Sequence, residues 1–103
     1  VDSKAYEAQA DYFKALSHPV RIKIVHYLKE GERCVCEIVP HLKEEQSNVS
    51  RHLAALKRAG ILSSRKEGVS VYYSIKDENV YKVLDIALCS MEKTAREKVA
   101  ILS

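Results

Sequence analysis

Between Cys34 and Tyr73 the hydrophobic pattern changes its period, and that change constrains the fold more than any other feature of the chain. Val35, Ile38, Val39 and Leu42 recur at i, i+3, i+4 and i+7, the spacing of one helical face. After a break, Val49, Leu53 and Leu56 form a second stripe over a helix predicted from Gln46 to Ala59, stopped by Gly60. Beyond Gly60, Ile61–Lys66 and Val69–Ile75 read as strands. Val71, Tyr72 and Tyr73 are β-prone, and Glu67-Gly68 supplies the turn. Helix, break, helix, hairpin is the order of a helix-turn-helix followed by a β-wing.

The flanks add helices. Residues 4–16 place Tyr6, Ala10 and Phe13 at helical spacing. Ser17-His18-Pro19 punctuates, with Pro at a favoured first helical position and Ser17 or His18 as the cap. Val20, Ile24, Tyr27 and Leu28 then give a second helix, with Gly31 as its stop. Asp77 caps a last helix whose stripe is Val80, Val83, Leu84, Ala87, Leu88 and Met91, continuing through Val99 and Leu102. The expectation is a single mainly α domain over residues 1–103, with five helices and a two-stranded wing. A chain of 103 residues buries only about two-thirds of its unfolded surface. The breadth of the last apolar face therefore predicts a homodimer.

Pro40 is the awkward member of the third helix. It has no N–H, and its ring clashes with the carbonyl of Cys36 four residues earlier. Either this helix starts late, near Cys36, so that Pro40 falls in its first turn, or it is kinked. The late start is the expectation.

Net charge is only +3, so global balance does not announce nucleic acid. Distribution says more: Arg51, Lys57, Arg58, Arg65 and Lys66 cluster in one third of the chain. At about 100° per residue, Ser47, Arg51, Ala54 and Arg58 project away from the Val49, Leu53, Leu56 stripe. That face is polar and basic with one small residue, and suits a major groove. Taken alone it also fits an ordinary solvated helix face; with the hairpin behind it, a duplex-DNA reader is the better account. Arg51 and Arg58 are the candidates for base or phosphate contact. Ser47, Asn48 and Ser50 would donate to phosphates near the helix N-terminus. Arg65 and Lys66 precede the wing tip and would meet phosphate or the minor groove. His52 lies nearer the apolar stripe and reads as packed and hydrogen-bonded. Tyr72 and Tyr73 alternate, one toward the core and one toward the DNA side.

No Gly-rich phosphate loop, paired carboxylates or nucleophile–base motif argues for an enzyme. No apolar run is long enough to span a bilayer, and no secretory signal is visible. Three cysteines are an odd number for a disulfide framework, so reduced thiols in a cytoplasmic protein are expected. The chain opens on Val1 rather than Met, which leaves open residues ahead of it.

Taken together, Leu16-Ser17-His18-Pro19-Val20-Arg21, Cys34-Val35-Cys36-Glu37-Ile38, Ser50-Arg51-His52-Leu53 and Gly60-Ile61-Leu62 resemble the ArsR/SmtB family of winged-helix repressors over nearly the whole chain. The resemblance implies a homodimer built from the first and last helices, bound to an operator and released when an inducer binds. There are departures. Val39 stands where the arsenic-sensing type has a third cysteine. Residues 77–103 contain no His, so the zinc site of that family's last helix is not expected. The cadmium and lead type adds cysteines near the N-terminus, and residues 1–33 of this sequence hold none.

Cys34 and Cys36 are the candidate sensor. On a regular helix, i and i+2 side chains point about 200° apart and cannot grip one ion. Chelation demands non-helical backbone there, which agrees with the late helix start. Arg33 and a helix N-terminus would favour thiolates. A soft ion usually takes three or four ligands, and Cys89 is the remaining cysteine, predicted opposite the last helix's apolar stripe. The leading expectation is a dimeric repressor, with no required cofactor, released by As(III) or another soft metal ion at Cys34 and Cys36. The alternative is the same DNA reader switched by oxidation of Cys34, Cys36 or Cys89. A third reading is a protein-interaction module reusing the same fold.

Overall fold

The computed structural model describes residues 2–102, and side chains of residues 2–98. In chain order it contains α1 (Ser3–Ala15), α2 (Pro19–Tyr27) extended by a 3-10 turn (Leu28–Glu30), β1 (Arg33–Cys34), α3 (Val35–Leu42), α4 (Gln46–Arg58), β2 (Leu62–Glu67), β3 (Ser70–Ile75) and α5 (Asn79–Leu102). No helix among the described residues is long and apolar enough to cross a membrane.

The core forms where the helical stripes converge. Ile24, Val25 and Leu28 of the α2 segment, Ile38 of α3, and Val49, Leu53 and Leu56 of α4 are buried together with Ile61, Leu62 and Val80. Val49, Leu53 and Leu56, the predicted α4 stripe, are all buried, with His52 beside them. α4 ends as its sequence demands. Gly60 takes φ +80°, its N–H donates to Lys57 O, and the Ile61 N–H donates to Leu56 O. This Schellman closure turns Ile61 straight into the core.

Four details differ from expectation. First, the wing is part of a three-stranded antiparallel sheet of order β1-β3-β2. β1 is a two-residue strand pairing Arg33 with Tyr73 and Cys34 with Tyr72. So short a strand has no periodic signature of its own. Second, Glu67 pairs with Ser70, so the hairpin loop is Gly68-Val69 rather than Glu67-Gly68. Gly68 sits at φ +62°, the left-handed conformation that primed two-residue turns need. Third, α3 begins at Val35, so Pro40 lies in its second turn, inside the helix. Fourth, the α1 stripe does not face the core: Tyr6 and Phe13 are exposed, and α1 packs instead through Tyr12 and Ala15. The Tyr12 hydroxyl donates to Asp77 Oδ2 at 2.8 Å, tying α1 to the start of α5. Burial, then this carboxylate, push the phenol up to about 12.

α5 keeps only its first turns in the core. Val80 is buried and Tyr81, Val83 and Leu84 are partly so, but Ile86, Leu88 and Met91 are more than half exposed. Val99 and Leu102, expected to extend the stripe, have side chains outside the described residues. Asp77 caps the helix as predicted, accepting from the Asn79 N–H at 3.1 Å.

Candidate DNA interface and cysteine site

α4 presents the predicted polar face. Ser47, Ser50, Arg51 and Arg58 are exposed, while Asn48 and Ala54 are half-buried between them. The Asn48 side-chain oxygen accepts from Arg51 Nη2 at 2.7 Å, which orients that guanidinium without neutralising it. His52 lies on the inner shoulder, 8% exposed. Its Nδ1 accepts from Arg21 Nε at 3.0 Å, and its ring lies 4.3 Å from that of His18. Burial, then the neighbouring His18, Arg21 and Arg51, hold its pKa below the ordinary value against an opposing pull from Glu44. His52 is thus packed and hydrogen-bonded, as its place beside the stripe suggested.

The wing is attached to α4 by Lys57, whose Nζ donates to Ser64 Oγ at 2.7 Å. Lys66 is exposed. Arg65 is differently placed. It donates twice to Glu32, at 2.6 and 2.8 Å, and once to Glu67 at 2.9 Å, and it lies 4.5 Å over the Tyr72 ring. These carboxylates raise its pKa, and its guanidinium lowers that of Glu32. The Glu32 partner is 33 residues away and carried no signal in the sequence. Of the two tyrosines, Tyr73 packs on the core while Tyr72 lies under Arg65.

The cysteine pair sits at the junction of both units. Cys34 has extended backbone, φ −70° and ψ 146°, and is the N-cap of α3. Its sulfur accepts from the Cys36 N–H at 3.0 Å, and Glu37 Oε1 accepts from the Cys34 N–H at 3.1 Å. A cysteine thus takes the part that Ser or Thr usually plays in a capping box. The expected non-helical backbone is present, and it turns the two sulfurs together. They are bonded as a disulfide across Cα atoms 5.0 Å apart. The extended Cys34 backbone removes the roughly 200° divergence that a regular helix imposes, which is how two sulfurs one residue apart come to meet. Cys34 is buried and Cys36 exposed. Both border an open cleft of about 470 Å³ that also meets Val39, Gln46 and Ser50, and Val71 of the wing.

Cys89 is a free, exposed thiol on α5. Among the described residues no group of three or more His, Cys, Asp and Glu side chains is placed to hold a metal ion. Within one protomer, then, Cys89 is not assembled with Cys34 and Cys36. The donor set is a sulfur pair whose chemistry, when reduced, fits a thiophilic ion with a coordination position left open.

Residues 18–64 match the model of the arsR family of bacterial regulatory proteins. The chain is 41% identical over 87 residues to the cadmium resistance transcriptional regulatory protein CadC homolog of Staphylococcus aureus, a match spanning 84% of this chain and 72% of that one. Its fold superposes on the crystal structure of Mycobacterium tuberculosis Rv0081 with a TM-score of 0.82 and 32% identity, covering 95% of this chain and 99% of the other. It also superposes on the solution structure of the homodimeric winged helix-turn-helix DNA-binding domain of Mb0332 from Mycobacterium bovis, a possible ArsR-family regulator. There the TM-score is 0.77 at 29% identity, covering 94% and 92% of the two chains.

Proposed function

The chain belongs to the arsR family of bacterial regulatory proteins, a family of DNA-binding transcriptional regulators rather than enzymes, and from that premise we propose a homodimeric repressor of the cytoplasm, one domain per protomer over residues 1–103, that leaves its operator when an inducer engages Cys34 and Cys36. The outward face of α4 enters the major groove. Arg51 and Arg58 contact bases or phosphates, Ser47, Asn48 and Ser50 donate to phosphates near the helix start, and Lys66 reaches the backbone beside the wing. Arg65 joins them only by exchanging Glu32 and Glu67 for phosphate oxygens.

One observation carries the switch: Cys34 is at once the end of β1, paired to the wing strand at Tyr72, and the N-cap of α3, the helix that precedes α4. A ligand that takes the Cys34 sulfur removes that cap. Loss of an N-cap costs about 0.5–2 kcal/mol, and about 1.4 kcal/mol of differential affinity changes DNA binding tenfold. The inducer is As(III) or another soft ion, held by the reduced pair and completed by Cys89 of a second protomer or by an outside thiol. The CadC homolog's name favours a thiophilic metal as the class.

The Cys34–Cys36 bond itself favours a second reading, in which the signal is oxidation of the two thiols to this disulfide, with two electrons and two protons passing to an oxidant. Fluorescence anisotropy on operator DNA separates them. Reduced protein is titrated with arsenite, Cd(II) or an oxidant, and the Cys34→Ser, Cys36→Ser double variant is run beside it. Release by arsenite or Cd(II) under reducing conditions supports the metal reading, and release by oxidant alone supports the redox one. Full induced release from the double variant removes both.

A further inference from the structure

We propose that a cleft between the start of α2 and the outward face of α4 seats a phosphodiester of the DNA backbone, with Arg21 as its principal donor. The inference rests on the reading that α4's outward face meets DNA, and adds a contact from outside the recognition helix.

The cleft is about 620 Å³ and brings His18, Arg21, Glu44, Arg51, His52 and Arg58 together. Three guanidinium groups face it against one carboxylate, Glu44. Arg21 is the best oriented of the three. Its Nε donates to His52 Nδ1 at 3.0 Å, and its Nη1 donates to Ala15 O at 3.3 Å. Both acceptors are neutral. The side chain is therefore fixed in direction, while its charge is not compensated. Arg33 and Arg65 differ, because each has a carboxylate partner within 3.4 Å. Among the described residues no ion pair engages Arg21, Arg51 or Arg58. A guanidinium has five N–H donors in a planar fork that matches phosphate oxygens, and Nη2 of Arg21 has no protein acceptor among the described residues.

The two histidines fit the same account. His18 Nδ1 accepts from the Val20 N–H at 3.2 Å, and His52 Nδ1 accepts from Arg21. Accepting at Nδ1 sets the His52 ring as the neutral tautomer with its proton on Nε2, a donor. A protonated His52 could not accept from Arg21, and the lowered pKa of His52 agrees with its neutrality. The cleft collects donors and three guanidinium charges against the single carboxylate of Glu44. Asn48, Arg51, Ala54 and Arg58 form its far wall and are the groove-facing side of α4. A phosphate lining that groove is the oxyanion within reach.

The test is the salt dependence of binding. Full-length Arg21→Gln is compared with wild type on operator and on unrelated duplex, by anisotropy from about 50 to about 200 mM salt. Each phosphate contact contributes roughly 0.9 to the log–log slope, so the dimeric variant should be flatter by roughly 2. The operator-to-unrelated affinity ratio should not move, because phosphate contacts carry no sequence information. An unchanged slope overturns the proposal. Arg21 also braces His52 and Ala15, so a measurement on wild type stands beside the variant. The Arg21 Nε–H resonance, identified by its loss in Arg21→Lys, should shift when unrelated duplex is added. No shift overturns the proposal. Saturation of that shift by inorganic phosphate, with no response to duplex, reassigns the seat to a free oxyanion and overturns it too. If Arg51→Ala and Arg58→Ala bind operator like wild type, the reading of α4 fails, an outcome distinct from the failure of Arg21 alone.

Discussion

Arg51 and Arg65 show how two arginines of equal promise in the sequence come to differ in the folded chain. Arg51 is held by a neutral amide and keeps its charge for a partner. Arg65 is already satisfied by Glu32 and Glu67. Arg51→Ala and Arg58→Ala should each weaken operator binding by about 1–3 kcal/mol if the residue reads a base, with the urea midpoint unchanged, because both side chains are exposed. Wild-type anisotropy curves at physiological salt would withdraw the residue concerned. A second expectation concerns His52. Its folded pKa is lowered, chiefly by burial, whereas the unfolded chain titrates near the ordinary value of about 6.5. The unfolded state therefore takes up the proton first as pH falls. The stability contributed by neutral His52 is complete above about 6.5 and is lost through the window beneath it. Between neutral pH and about 5, Tm of wild type should fall more steeply than that of His52→Gln. Parallel slopes would show that this group carries no such linkage.

Among elements, α3 and the end of α4 show local chemistry with different reach. Gly60 was legible as a stop because a chain leaving a helix in the left-handed region favours glycine. A Cβ built there meets nothing within 4 Å, so the penalty for Gly60→Ala is backbone strain alone. We expect a loss of about 1–2 kcal/mol by urea denaturation with an unchanged m value. A loss under a few tenths would mean that α4 ends elsewhere. Pro40 constrained the start of α3 to within a residue, and with that start it falls in the second turn rather than the first. What the sequence did not disclose was β1. Its pairing to Tyr72 and Tyr73 joins the cysteine segment to the wing through hydrogen bonds across the chain, and no local pattern encodes them.

At the scale of the whole molecule, the apolar faces of α1 and α5 are the unfinished part. Tyr6 and Phe13 on one helix, and Ile86, Leu88 and Met91 on the other, are each more than half exposed. Covering such a surface with a second copy would bring α5 to a protomer boundary, and would set two α4 helices about 34 Å apart on successive major grooves. Leu88→Glu combined with Met91→Glu should shift the sedimentation profile from dimer to monomer at micromolar concentration and weaken operator binding, since each half-site would bind alone. A wild-type monomer under those conditions would remove the dimer reading.

Periodicity decided which residues of α4 face inward, because the core stripe recurs with the helix itself, whereas in α2 it named Val20, Ile24 and Leu28 but missed the fully buried Val25; turn chemistry decided where α4 stops. The basic cluster around Arg51 and Arg58 was legible for the same reason: it is local, and a helical wheel orders it. Tertiary structure alone decided the rest. Glu32 meets Arg65, Arg21 meets His52, and Cys34 meets Tyr72, pairs separated by 33, 31 and 38 residues. Their encounter depends on how helices and strands pack, and no window of sequence contains both partners. The cysteine pair stands between the two regimes. Its spacing required an extended residue at the head of α3, and the fold supplied one by drawing Cys34 into the edge of the wing sheet.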